Sequence, residues 1–350
     1  MEVDFGGGGE VIFERKGFAG LIRLTRPTAL NALTHGMVTA IRRALTAWEA
    51  EPQVACVIVE GEERAFCAGG DVAAVYKAGR EGNPSYRFFA EEYRLNAQIK
   101  RYSKPCIAFL DGIVMGGGAG ISIHGSHRVV TENTLFAMPE TGIGFFPDVG
   151  TSAFLPHLPG HFGIYLALTG NRIRWGDCLN TGIATHAVVA AEIERIRALL
   201  IETGDADAAF VNTANPDFET DIETIDLIAQ CFAAPTLEDC IFELAGKAAN
   251  GSASAEGILK RMKSRSPTSL YVTFRQMREG RALSMDDCMK MDYRILNRML
   301  ESHDFYEGVR AVLIDKDGMP RWKPAKLKDV RTSDVDAYFV QLGDKELTLP

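Results

Sequence analysis

The chain has no run approaching ~18 consecutive apolar residues, so none of its 350 residues read as part of a membrane-spanning helix. It lacks a basic surplus. Lys and Arg number 38 against 46 Asp and Glu, a formal net charge of −8, which argues against nucleic acid as the principal partner. A local anion pocket needs only a few basic side chains and is not excluded. No two cysteines have C-x-x-C spacing. The seven, at 56, 67, 106, 178, 231, 240 and 288, are scattered and odd in number, which excludes a disulfide framework and a zinc site and fits a reducing compartment. The opening Met1-Glu-Val-Asp-Phe5 is acidic, without the pattern of a signal or transit peptide. These absences together lead to the expectation of a cytoplasmic enzyme.

What is present alternates strands, glycine loops and helices. After a flexible-looking segment 1–9, Val11-Ile-Phe-Glu-Arg and Leu21-Ile-Arg-Leu flank Lys16-Gly17, which predicts two strands and a tight turn. Thr34 is placed to cap a helix to about residue 51, with Met37, Ile41, Leu45 and Trp48 at helical spacing. The run 54–60 is nearly all apolar, as a strand buried on both faces requires, and leads into the loop Arg64-Ala-Phe-Cys-Ala-Gly-Gly-Asp71. The same order recurs with a helix over 85–102, a strand over 106–110 and the glycine cluster 116–120, then a strand over 128–131. Residues 10–203 are therefore expected to form an α/β core of repeated units. Residues 204–350 read as a helical region, with helices over 221–231, 237–249, 255–263, 267–279, 284–300 and 304–312 and a tail from 315.

Two carboxylates, Glu140 and Asp148, are the only charges in the segment 136–150, which also holds Phe136, Met138, Phe145 and Phe146. Such a segment reads as an apolar pocket wall, where the protein can set the protonation of a carboxylate. The plainer reading is a turn, with Asp148 as the N-cap of a helix from Val149. The glycine loops do not match a nucleotide fingerprint: Gly116-Gly-Gly-Ala-Gly-Ile lacks the last glycine of G-x-G-x-x-G, and no Lys-Ser/Thr follows. Glycines at 69–70 and 117–118 can instead aim two backbone N–H groups at one carbonyl oxygen. An oxyanion hole of that kind is worth about 3 to 4 kcal/mol per donor in acyl transfer. Gly120-Ile-Ser122-Ile-His124 begins like a serine-hydrolase elbow but has a histidine where the second glycine belongs. His124 and His127 have no carboxylate or thiol clustered with them, and no metal site is expected.

The segments Arg26-Pro-Thr-Ala-Leu-Asn-Ala-Leu33, Ala65-Phe-Cys-Ala-Gly-Gly-Asp71, Asp111-Gly-Ile-Val-Met-Gly-Gly-Gly118 and Phe136-Ala-Met-Pro-Glu140 resemble the enoyl-CoA hydratase/isomerase, or crotonase, superfamily. The resemblance covers about 10–200. It implies an α/β crotonase-like spiral of ββα units followed by helices, an acyl-CoA ligand, and oxyanion N–H groups at Gly70 and Gly117. It places CoA against Arg26, Ala29, Leu30, Arg64 and Ala68, with no cofactor beyond the CoA of substrate and product. It also implies a homo-oligomer, a trimer or hexamer.

One departure separates subfamilies. Hydratases of the superfamily use two glutamates, and the first would fall at Gly120. Hydration needs water activated on one side and a proton delivered to the other carbon, so the loss of one carboxylate argues against it. By the resemblance, Gly117, Glu140, Asp148 and the Glu92 of Glu91-Glu-Tyr93 match the substrate-contacting positions of a thioesterase branch. The implied activity is hydrolysis of a short 3-hydroxyacyl-CoA, with 3-hydroxyisobutyryl-CoA of valine breakdown as the expected substrate. The alternatives are a hydratase or isomerase of the same fold and an acyl-CoA-binding protein without turnover.

Overall fold

The structure is a computed structural model that describes residues 2–349. The chain divides into two compact units. The first runs through Asp71 and takes in Arg87–Phe136 and Ile173–Glu219; the second takes Val72–Tyr86, Ala137–Arg172 and the described residues from Thr220 onward.

In the first unit, β1 (Val11–Lys16) and β2 (Ala19–Leu24) form an antiparallel hairpin with Lys16 opposite Ala19. Its turn needs Gly17, whose φ is 50° and whose Cα abuts the carbonyl of Ile201, 2.0 Å from where a side chain would start. β3 (Cys56–Gly61) then pairs parallel with β2. The short β4 (Ala65–Cys67) leaves for a second sheet. β5 (Cys106–Leu110) and β6 (Ile113–Met115) repeat that step, as do β7 (His127–Val130) and β8 (Leu135–Ala137), and β9 (His186–Ala187) ends the main sheet. The sheets have the orders β1-β2-β3-β5-β7-β9 and β4-β6-β8. β3, β5 and β7 thus each hand the chain to a short strand, the spiral of ββα repeats that the family resemblance implied.

Both faces of the main sheet are covered, which is why β3 and β5 are apolar without alternation. Leu21, Ile58, Ile107, Phe109 and Val129 pack on Ile196 and Leu200 of the helix Ile193–Thr203. On the other face Gly20 lies against the Trp48 ring of the helix His35–Ala50, at 2.5 Å from a notional Cβ. Thr34 caps this helix, accepting from the Met37 N–H at 3.2 Å.

The second unit is helical. Phe162–Thr169 is buried all round, and the helices Ile222–Cys231, Leu237–Ala249, Ala253–Lys263, Pro267–Gly280, Met285–Met299 and His303–Val309 follow. Asp221, Thr236, Ser252, Ser266, Ser284 and Ser302 each accept a first-turn N–H at the N-cap, so the starts of these helices are written locally.

Candidate active site

The three short strands each deliver one of the expected residues. Gly70 follows β4 by three positions, Gly117 follows β6 by two, and Glu140 follows β8 by three. The loop after β4 is stitched to 30–33: Ala68 N–H donates to the Leu30 carbonyl (3.0 Å), Leu33 N–H to the Gly69 carbonyl (2.8 Å) and Asp71 N–H to the Leu33 carbonyl (2.9 Å). Because the bridge between Leu33 and Gly70 is parallel and uses the groups on either side of Gly70, the Gly70 N–H faces the opposite way. Gly117 opens a one-turn helix, Gly117–Gly120, where the first N–H groups have no intrahelical partner.

These backbones converge. A Cβ on Gly117 would lie 3.1 Å from the Gly70 nitrogen and 2.5 Å from Oε1 of the buried Glu92, and one on Gly118 would lie 2.2 Å from the Cys67 carbonyl oxygen. The glycines are therefore required by close approach, and the fold brings Gly70, Gly117 and Glu92 together. Gly120 is buried in the same helix, with no carboxylate at that position.

The expected CoA segment lies in this unit too. Pro27–Ala29 is a single 3-10 turn followed by two left-handed residues, Leu30 (φ 51°) and Asn31 (φ 57°). Asn31, which the sequence reading did not single out, pins that turn: its amide nitrogen donates to the Glu62 (2.9 Å) and Ala65 (2.7 Å) carbonyls, and its oxygen accepts from Arg26 N–H at 2.9 Å. Tolerance of left-handed backbone by asparagine was the available signal. The Arg26 guanidinium bridges Glu10 (3.0 Å), Asp71 (3.1 Å) and the Ala32 carbonyl (2.6 Å), bracing the loop from within. Ala29, Leu30 and Ala68 are half-buried and Arg64 is exposed.

In the second unit Glu140 begins the 3-10 turn Glu140–Ile143, closed by left-handed Gly144 and by Phe145 N–H on the Glu140 carbonyl at 3.0 Å. Its carboxyl is 6% exposed, and Oε2 has no hydrogen-bond partner among the described residues. Burial first, and then the charge of Asp148, raise its pKa well above the usual carboxylate range. Asp148 is itself buried. It does not stand at the N-cap of a helix: the following 3-10 turn, Thr151–Ala153, has Gly150 at its N-cap without a side-chain bond, and the Asp148 carbonyl accepts from Thr151 N–H at 3.0 Å. Left-handed Val149 (φ 54°) and Gly150 (φ 76°) displace the helix start.

Other candidate nucleophiles are disarmed. Ser122 donates back to the Gly118 carbonyl at 2.7 Å, and burial pushes the Cys67 thiol up to about 12. His127 stacks on His186 with ring centroids 5.4 Å apart. No cluster of three His, Cys, Asp or Glu suited to a metal ion occurs among the described residues.

The sequence pattern of the enoyl-CoA hydratase/isomerase family matches residues 19–339. The chain belongs to this family. Among its relatives, the mitochondrial 3-hydroxyisobutyryl-CoA hydrolase of Danio rerio is 44% identical, covering 98% of this chain and 92% of that one. The Homo sapiens protein of the same name is 41% identical over 97% and 90%. Two solved family structures align closely. A carnitinyl-CoA dehydratase from Mycobacterium thermoresistibile has TM-score 0.91 and 41% identity, covering 97% of this chain and 98% of its own. An enoyl-CoA hydratase from Rhodobacter sphaeroides 2.4.1 has TM-score 0.88 and 36% identity over 97% and 100%.

The relatives correct the cytoplasmic expectation, since both hydrolases are named as mitochondrial. All seven cysteines are free, but a reducing interior describes the mitochondrial matrix as well as the cytosol, so cysteine usage did not separate the two.

Proposed function

We propose that the chain hydrolyses 3-hydroxyisobutyryl-CoA to 3-hydroxyisobutyrate and CoA, a step of valine breakdown. The relatives' names support this reading, and one observation carries it from the residues: Glu140 is a buried carboxyl with an unpartnered oxygen, while the place of a hydratase's first glutamate is the buried Gly120. The amides of Gly70 and Gly117 bind the thioester oxygen and stabilise the charge that develops on attack. Glu140 either attacks the carbonyl, giving a mixed anhydride that water then opens, or takes a proton from the attacking water. In both routes the C–S bond breaks, a C–O bond forms and the thiolate leaves with a proton. Asp148 orients the acyl hydroxyl or the water and passes that proton. Glu92 hydrogen-bonds the 3-hydroxyl, and the segment with Arg26, Ala29, Leu30, Arg64 and Ala68 holds CoA. The site needs no metal or redox group.

The names of the two solved structures favour a second reading, hydration of an enoyl-CoA. One assay separates them. Purified protein is given 3-hydroxyisobutyryl-CoA, with free thiol followed, and crotonyl-CoA, with the enoyl absorbance followed. Thiol release from the first without loss of absorbance from the second is the expected result, and the reverse refutes the hydrolase.

A further inference from the structure

The turn that carries Asp148 contains a strained residue. Val149 is β-branched and 1% exposed, yet it sits at φ 54°, where an L side chain crowds its own backbone. Strain of this kind persists only where the surroundings fix it, and here two polar side chains do so. Asp292, on the helix Met285–Met299, accepts from the Gly150 N–H at 3.1 Å and from the Ser152 hydroxyl at 2.9 Å. Gln276, on the helix Pro267–Gly280, donates through Nε2 to the Pro147 carbonyl at 2.7 Å and to Asp292 Oδ1 at 2.8 Å. These bonds meet the chain at Pro147, Gly150 and Ser152, on both sides of Asp148 and Val149. The end of the second helix presses on the same turn: a Cβ on Gly280 would lie 2.3 Å from the Ser152 carbonyl oxygen.

Asp292 and Gln276 are 0% exposed, and Asp292 stands on an otherwise apolar helix face, in a stripe with Met289, Ile295, Leu296 and Met299. Burial raises the Asp292 pKa to about 7, so the carboxyl sits there at a cost that a leucine or methionine would not incur. What an apolar side chain cannot supply is an acceptor for Gly150 and Ser152.

We propose that Asp292 and Gln276 are positioning residues for the reaction: together they hold the strained Val149 turn and so keep the Asp148 carboxylate in a fixed place relative to Glu140. This rests on the hydrolase reading. Neither residue touches the reacting atoms.

The test compares Asp292→Asn, which puts an amide where the Gly150 N–H needs an acceptor, with Gln276→Met. The second keeps length and shape and loses only the Nε2 bonds, because the Gln276 Oε1 has no partner among the described residues. It carries the test should Asp292→Asn not fold. Amide exchange over 147–154 should speed up by about tenfold in either variant. With 3-hydroxyisobutyryl-CoA, kcat should fall by roughly 10- to 100-fold with KM within about threefold of wild type, the scale of a misplaced reacting group. The acid limb of the rate profile should also move to lower pH, in the direction expected on removing the Asp148 charge. Unchanged exchange overturns the clamp, and faster exchange with unchanged kcat and pH profile overturns its positioning role. Failure of the wild type to release thiol defeats the hydrolase reading, while the exchange rates still decide whether the clamp exists.

Discussion

Asp148 stands close enough to Glu140 for its charge to add to burial in raising the Glu140 pKa. On the proposed route Glu140 must be ionised to attack or to take a proton, so kcat is expected to fall as pH drops through that raised value. Asp148→Asn removes the repulsion and is expected to move this acid limb to lower pH while lowering the maximal rate. A pH series of kcat checks it, and a limb that stays in place shows that Asp148 does not act on Glu140.

The same shift has a consequence for stability. Glu140 is harder to ionise in the fold than in the unfolded chain, so its contribution is fully present below the unfolded pKa and is lost as pH rises through the folded one. Glu140→Gln should therefore be more stable relative to wild type at pH 8 than at pH 4. Denaturant unfolding at the two pH values measures it.

Gly117→Ala places a methyl 2.5 Å from Glu92 Oε1 and 3.1 Å from the Gly70 nitrogen. The expected result is a kcat lower by about 10²- to 10³-fold, as for loss of an oxyanion donor. Gly36→Ala is the control, since a Cβ there meets only Thr34 Oγ1 at an ordinary 3.7 Å. It should leave kcat unchanged.

Glu92→Gln tests the acyl end. Its kcat/KM should drop by roughly tenfold or more with a 3-hydroxyacyl-CoA, the effect of losing a charged hydrogen-bond partner. The same ratio measured with isobutyryl-CoA, which has no hydroxyl, should change little. Equal losses on both thioesters would move Glu92 from substrate recognition to support of the Gly117 turn.

Much of this was legible in the chain. Thr34 and the later caps announce their helices, the apolar runs of β3 and β5 announce a covered parallel sheet, and the lone charges in 136–150 mark Glu140 and Asp148. What stayed hidden has physical reasons. Strands of three residues, such as β4, β6 and β8, are too short to show a period. The left-handed Val149 could not be read because a β-branched residue adopts that backbone only when distant groups hold it. Asp292 and Gln276 are far from it in sequence, and the one local signal was at Asp292, a polar residue in an apolar helical stripe. Asn31 was concealed within a short loop.

The most direct measurement is thiol release from 3-hydroxyisobutyryl-CoA by Glu140→Gln, with CoA binding followed in parallel. Hydrolysis should fall by about 10³-fold or more, the scale for removing a nucleophile or base, with CoA affinity within about threefold of wild type. Near-normal turnover by this variant would contradict the account, because Glu140 would then be a structural residue.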